Sequence, residues 1–180
     1  GEEHALPAAA VLPAHDLRRP QGYVTLLAAH GCPYDCPYCA TKLLCGREWQ
    51  PRPAAAVVDE ISWCVGELGA RDIAFYDDAL LYHAQRHIHP ILDGVLDRGL
   101  QARFHTPNGL HARWIDPALA DKLRRAGFVT IRLGLESADP QQQAEDGGKV
   151  DRAVFARAVE ALYGAGFTPR EVGAYMLIAR

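Results

Sequence analysis

The stretch "YVTLLAAHGCPYDCPYCATKLL", Tyr23 to Leu44, decides how the chain is read. It opens as a short apolar run of strand character, over 23–29, which stops at a loop carrying Cys32, Cys36 and Cys39. Gly31 permits a sharp exit from the strand, and Pro33 and Pro37 stiffen the loop. A [4Fe–4S] cluster that only carries electrons takes four thiolates. Structural zinc also closes its shell with four ligands, whereas catalytic metals keep one position open. Three thiols at C-x3-C-x2-C spacing therefore suit a cluster held at three corners, with the fourth iron left for a substrate or cofactor. The plainer alternatives are cysteines close by chance, or a zinc site completed by His30 or Cys45.

Outward from that loop the chain alternates. "RPAAAVVDEISWCVGEL" sets Val57, Ile61, Cys64, Val65 and Leu68 on one helical face, with Pro53 near its start. "RDIAFYDD" (71–78) reads as a second strand, a helix follows over about 84–98, and "ARFHT" (102–106) is a third strand. "IDPALADKLRRAG" carries its own boundaries: Asp116 as N-cap, Pro117 in the first turn, Gly127 past the end. "FVTIRLGLES" is a fourth strand, "DRAVFARAVEALYGAG" a helix burying Val154, Ala158 and Leu162, and "VGAYMLIA" (172–179) a fifth strand. Strands alternating with crossover helices build a parallel sheet with helices outside. A complete eight-unit barrel needs about 250 residues, so the expected fold is α/β, a partial, open TIM-like (β/α)5–6 barrel. Residues 1–20, rich in Ala and Pro, read as a tail or linker, and 21–180 as one core domain truncated at its C terminus.

Composition bounds the rest. With 180 residues and 49% hydrophobic content the chain can bury a core, and a net charge of −3 offers no nucleic-acid footprint. No apolar run approaches about 18 residues, so no membrane span is expected. The first residues lack the pattern of a signal peptide, and five cysteines then read as thiols of a reducing cytoplasm.

Period-two logic points to further site residues. In "VTIRLGLE" Val129, Ile131, Leu133 and Leu135 face the helices, and Thr130, Arg132, Gly134 and Glu136 face the barrel interior. Active sites in barrels lie at the C-terminal strand ends, so Arg132 and Glu136 are candidates, although they could simply pair with each other. In "DIAFYDD" Ile73 and Phe75 point outward and Ala74, Tyr76 and Asp78 inward, with Asp77 and Asp78 at the strand end.

The cysteine spacing, with an aromatic residue, Tyr38, before the last cysteine, resembles the signature of the radical S-adenosylmethionine superfamily. "GCPYDCPYC" resembles the "RGCPYxCxFC" form of its cobalamin-linked and methylthiotransferase-like branches. "FYDDALL", "PNGLHARWID", "AGFVTIRLGLES", "GGKV" and "AYMLI" come in the order such a relative would have, so the resemblance covers about 21–179. It implies that Cys32, Cys36 and Cys39 ligate a [4Fe–4S] cluster whose open iron binds S-adenosylmethionine, which is cleaved reductively to a 5′-deoxyadenosyl radical. It further implies that Tyr38 lies against the adenine, that Glu136, with Ser137 beside it, contacts the ribose or amino group, and that Asp77 or Asp78 takes the methionine amino group. An electron donor such as flavodoxin or ferredoxin, and a cobalamin domain upstream, are implied by the same resemblance.

Weaker candidates are Asn108 and His105 after the third strand, where "TPNG" is also an ordinary turn, and Lys149. Cys64 reads as core and Cys45 as a bystander. His83, His87 and His89 have no completing ligand. Three functions stand: a cobalamin-linked radical enzyme core acting on an unknown small-molecule or macromolecular substrate; a methylthiotransferase-like enzyme acting on RNA or protein; and a metal-binding structural module without catalysis.

Overall fold

The computed structural model describes residues 13–17, 22–145 and 150–178. Lys149 and most of the 1–20 segment therefore lie outside the described residues. Strand β1 is Tyr23–Leu26, followed by a short strand β2 (Ala29–His30), helix α1 (Thr41–Leu44) and strand β3 (Gln50–Pro51). Helix α2 (Ala54–Gly66), strand β4 (Asp72–Phe75), helix α3 (Ile88–Asp97), strand β5 (Arg103–His105) and helix α4 (Pro117–Ala126) come next. The described chain closes with β6 (Phe128–Glu136), α5 (Pro140–Glu145), α6 (Arg152–Gly164) and β7 (Val172–Met176).

The main sheet has five parallel strands in the order β1-β4-β5-β6-β7, so each crossover delivers the next strand to the growing edge. This is the expected open α/β barrel with helices outside.

On the helix side, Phe75, Phe104 and Phe128 stack with centroids 5.2 to 5.9 Å apart. Val57, Ile61, Cys64, Ile88, Ile91, Leu119, Leu123, Ala158 and Leu162 are all fully buried with them. Burying one such large side chain contributes about 1.5–3 kcal/mol, and this layer holds the sheet. Cys64 is core, as read, and burial pushes its thiol up to about 11. Asp116 accepts the Leu119 N–H at 2.7 Å, and Gly127 takes φ +99° where a Cβ would strike the Ala102 carbonyl, so both ends of α4 stand as read.

Four features differ from the expectations. The first strand breaks after Leu26, and Ala29–His30 leaves the sheet to pair with β3. The helix expected at 84–98 splits at His87, whose φ of −123° is not helical; a 3-10 turn (Ala84–Arg86) precedes α3. His83, at φ +50°, lies before that turn, so the three histidines never share one helix face. The pleat slips at Val129: Phe104 pairs with Phe128 but His105 with Thr130, which turns Phe128 into the aromatic core while Thr130 keeps the inner face. Finally, α2 buries a charge, Glu60, 0% exposed, which pairs with Arg52 at 2.6 Å and His15 at 3.0 Å. The described part of the expected tail, 13–17, thus packs against α2.

Candidate active site

The cysteine loop is closed at its neck. β2 and β3 pair antiparallel, Ala29 with Pro51 and His30 with Gln50, and the Arg52 N–H donates to the Ala28 carbonyl at 2.8 Å. Gly31 sits in this neck at φ +77°, where an added Cβ would collide with the Glu48 carbonyl oxygen; no other residue type fits both constraints. Inside, the Cys39 N–H donates to the Cys36 carbonyl at 3.1 Å, and the Lys42 ammonium and Arg47 guanidinium reach Asp35 at 2.6 and 3.0 Å. An aromatic clasp fixes the loop to the barrel. The Trp49 ring contacts Tyr82, His83 and His87, and the Trp114 indole N–H donates to the Tyr34 hydroxyl at 2.6 Å.

Cys32, Cys36 and Cys39 line one cavity of about 410 Å³ at the C-terminal ends of the strands. Asp78, Asn108, Glu136 and Tyr175 line the same cavity, as do Tyr38 and Thr41 of the loop. That volume lies within the usual range of small-molecule sites. Loop 106–111 reaches the rim by running along β6. The Thr106 N–H donates to the Thr130 carbonyl, the Leu110 N–H to the Arg132 carbonyl and the Gly134 N–H to the Leu110 carbonyl. Asn108 is held there by donating to the Tyr76 carbonyl at 2.7 Å. Glu136 ends β6 at φ +65°, a left-handed conformation that costs a non-glycine residue about 1–3 kcal/mol. The register shift between Gly134 and Glu136 falls at the same place, so the strand end is bent where the carboxylate enters the cavity.

Of the expected site residues, Cys32, Cys36, Cys39, Tyr38, Asp78, Asn108 and Glu136 are brought together, and three are not. Asp77 is 4% exposed, and its carboxylate accepts the Ala28 N–H at 3.0 Å and the Ala29 N–H at 2.6 Å. It pins the chain just before the cysteine loop and does not line the cavity. Arg132 lies lower on the inner face, donating from Nη1 to the Ile131 and Glu171 carbonyls at 3.0 and 3.1 Å. Ser137 turns away, its hydroxyl accepting the Asp139 N–H at 3.0 Å. His105 is likewise absorbed by the sheet, between Thr130 and Asp72, both at 2.9 Å. Arg103, first among its neighbours, holds the Asp72 carboxyl down at about 2.

Burial first, and then Cys36 and Glu136 beside it, push the Tyr38 phenol well above its ordinary value, so it stays protonated. Burial also raises the Cys32 thiol, against the backbone of Tyr34, with Asp78, Cys36 and Cys39 near enough to add to it. Burial pushes Asp77 up to about 7, opposed by the amides of Ala28 and Ala29. The Thr41 N–H points at Cys39 Sγ from 3.5 Å, and the Thr41 hydroxyl links that sulfur, at 3.2 Å, to Asp78, at 3.4 Å.

Thr41, Tyr34, His111 and Tyr175 line the cavity too. Sequence reasoning passed over all four. Tyr34 carried a signal, lying between two of the cysteines; Tyr175 carried none, because only the neighbouring strand brings it to the rim, where its hydroxyl donates to the Pro107 carbonyl.

Three thiols lining one cavity are of the ligand type that a [4Fe–4S] cluster takes. Zinc would draw its ligands to about 2.0–2.3 Å from one point. Among the described residues no three His, Cys, Asp or Glu side chains gather in that way. The three thiols line one cavity, and neither His30 nor Cys45 does. Among the same residues no helix is long and apolar enough to cross a membrane.

Known proteins are similar to this chain in sequence or fold. An uncharacterised methyltransferase of Pyrococcus horikoshii is 26% identical over 116 residues, covering 64% of this chain and 25% of that protein. The bacteriochlorophyllide d C-12(1)-methyltransferase of Chlorobaculum tepidum is 24% identical over 119 residues, covering 65% and 25%. The chain thus spans about a quarter of the length of these curated relatives. Among solved structures, the radical S-adenosylmethionine methyltransferase TsrM of Kitasatospora setae, with tryptophan and a cofactor analogue bound, superposes with a TM-score of 0.74 at 20% identity, over 87% of this chain and 30% of that one. The cobalamin-dependent enzyme OxsB, with aqua-cobalamin and S-adenosylmethionine bound, gives 0.71 at 20% identity, over 85% and 23%. These structures share the fold. The profile of the Radical SAM superfamily matches residues 26–179, from the end of β1 beyond the end of β7, and with the cysteine loop at the mouth of the barrel the chain belongs to that superfamily of enzymes.

Proposed function

We propose that this chain is the catalytic core of a cobalamin-linked radical S-adenosylmethionine methyltransferase. One observation carries the reading: the three loop thiols and the carboxylates of Asp78 and Glu136 share one cavity. Cys32, Cys36 and Cys39 would hold a [4Fe–4S] cluster, which when bound supplies the electron that cleaves S-adenosylmethionine to a 5′-deoxyadenosyl radical or supports methyl transfer.

The remaining wall matches that cofactor. Its sulfonium and ammonium groups are cationic, and Asp78 and Glu136 are anionic partners for them. Tyr38 offers a ring for the adenine. Asn108 faces the same space, with its amide nitrogen committed to the Tyr76 carbonyl and its oxygen available to the ligand. The methyltransferase names of the curated relatives and the cobalamin in OxsB support methyl transfer, with cobalamin bound by a domain outside this chain and the electron supplied by a flavodoxin- or ferredoxin-like donor.

Anaerobic reconstitution with iron and sulfide, followed by reduction with dithionite in the presence of S-adenosylmethionine, tests this. We expect a brown protein that binds the cofactor, and Glu136→Gln to weaken that binding by roughly ten-fold or more. A reconstituted cluster with no affinity for S-adenosylmethionine would overturn the reading.

A further inference from the structure

Thr41 brings two hydrogen-bonding groups to one of the three loop sulfurs. Its backbone N–H points at Cys39 Sγ from 3.5 Å, and its hydroxyl oxygen stands 3.2 Å from the same atom. The residue is the first of α1, and its carbonyl accepts the Cys45 N–H at 2.7 Å, which fixes the backbone beside the sulfur. The hydroxyl also faces Asp78 Oδ1, at 3.4 Å. One hydroxyl proton therefore has two acceptors, and distance decides between them. An O–H···O bond is ordinarily about 2.5–3.0 Å long, so 3.4 Å is a poor contact, whereas 3.2 Å is close for the larger sulfur atom. Asp78 is also exposed, so water competes for its carboxylate, while Cys39 is half-buried. A thiol at Cys39 can donate to the hydroxyl; a thiolate has no proton and can only accept.

We infer that Thr41 is a positioning residue, acting through Cys39, whose hydroxyl donates to the Cys39 thiolate and so makes the cluster easier to reduce. The inference rests on the reading of Cys39 as a cluster ligand. One electron taken up from the donor leaves more negative charge on the ligand sulfurs. A hydrogen bond aimed at such a sulfur then stabilises the reduced state more than the oxidised one, which raises the reduction potential. The Thr41 proton stays on its own oxygen throughout, so an electron is transferred and no proton is released. Cys32 has the backbone amide of Tyr34 beside it, a donor that no side-chain substitution removes. At Cys39 a side chain supplies the second donor, and its effect can be isolated.

The midpoint potential of the anaerobically reconstituted chain, without S-adenosylmethionine, tests it, read by electron paramagnetic resonance during titration with a titanium(III) reductant. Thr41→Val has nearly the shape of threonine and keeps the backbone donor. We expect it to hold the native amount of iron and to be reduced at a more negative potential. Thr41→Ser should return the potential to near the native value. Leu43→Ala, at a residue 82% exposed on the same helix, should not move it. A native potential in Thr41→Val, an equal shift in Leu43→Ala, no recovery in Thr41→Ser, or loss of iron from Thr41→Val would overturn the inference. A native chain that takes up no iron overturns the cluster reading together with it. Because the cofactor is left out, a cluster without affinity for S-adenosylmethionine would sink the methyltransferase reading and not this one.

Discussion

On the helix side of the sheet, Ile73, Phe75, Phe104, Phe128, Ile131 and Leu133 are each no more than 2% exposed; at the strand ends, Asp78, Asn108 and Glu136 stand open to a cavity beside three thiols. The first layer holds through area removed from water. The second is positioned by hydrogen bonds from loops, and its side chains line the cavity. Asp77 and Asp78, adjacent in the chain, fall on opposite sides of this division. Asp77 spends its carboxylate on two backbone amides, and Asp78 keeps its own at the cavity.

Substitutions that respect the division should separate stability from binding. Phe104→Ala leaves a void between Phe75 and Phe128 and should cost about 3–5 kcal/mol in chemical denaturation. Asp77→Ala strands the Ala28 and Ala29 amides at about 1–3 kcal/mol each. Its effect should be concentrated near the loop neck, with faster amide hydrogen exchange over 28–52. Asp78→Ala should shift stability by no more than about 0.5 kcal/mol while weakening S-adenosylmethionine binding to the reconstituted protein. Equal losses of stability in the two Asp variants would erase the distinction.

Two smaller effects sharpen it. Asp116→Ala, which removes the α4 cap on the helix side, should cost about 1 kcal/mol without touching cofactor affinity. His87, buried against Trp49, is held neutral, its imidazole pushed down to about 4 by burial. An unfolded histidine takes up a proton near pH 6.5. As pH falls from about 6.5 towards 4, the unfolded chain therefore gains a proton that the folded chain refuses, and stability drops. Melting temperatures across that range should fall more steeply for the native chain than for His87→Leu.

Much of the helix side was legible because it obeys one period. Val57, Ile61 and Cys64 on α2, and the Asp116, Pro117 and Gly127 signals of α4, arise from local chemistry and were read without the structure. Phe128 was not, because the extra residue at Val129 reverses the alternation, and a bulge leaves no mark in the pattern of side chains. Glu60 was hidden too, since its partners Arg52 and His15 lie outside its helix. At the candidate site, the thiols, Tyr38, Asp78, Asn108 and Glu136, which line one cavity, were singled out by motif, strand position and resemblance. Arg132 and Ser137 lie on or beside the right strand, yet their side chains are claimed by the Ile131 and Glu171 carbonyls and by the Asp139 amide. Position along a strand selects a face and a depth; which groups remain available is decided by tertiary hydrogen bonds.

The role of the three thiols is open to one direct measurement: iron and zinc content after anaerobic reconstitution of the native chain, Cys36→Ala and Cys45→Ala. The native chain and Cys45→Ala should each hold about four iron atoms with the absorbance of a [4Fe–4S] cluster, and Cys36→Ala should lose them. A colourless protein carrying one zinc, or loss of iron in Cys45→Ala equal to that in Cys36→Ala, would contradict the assignment of Cys32, Cys36 and Cys39 as the three ligands.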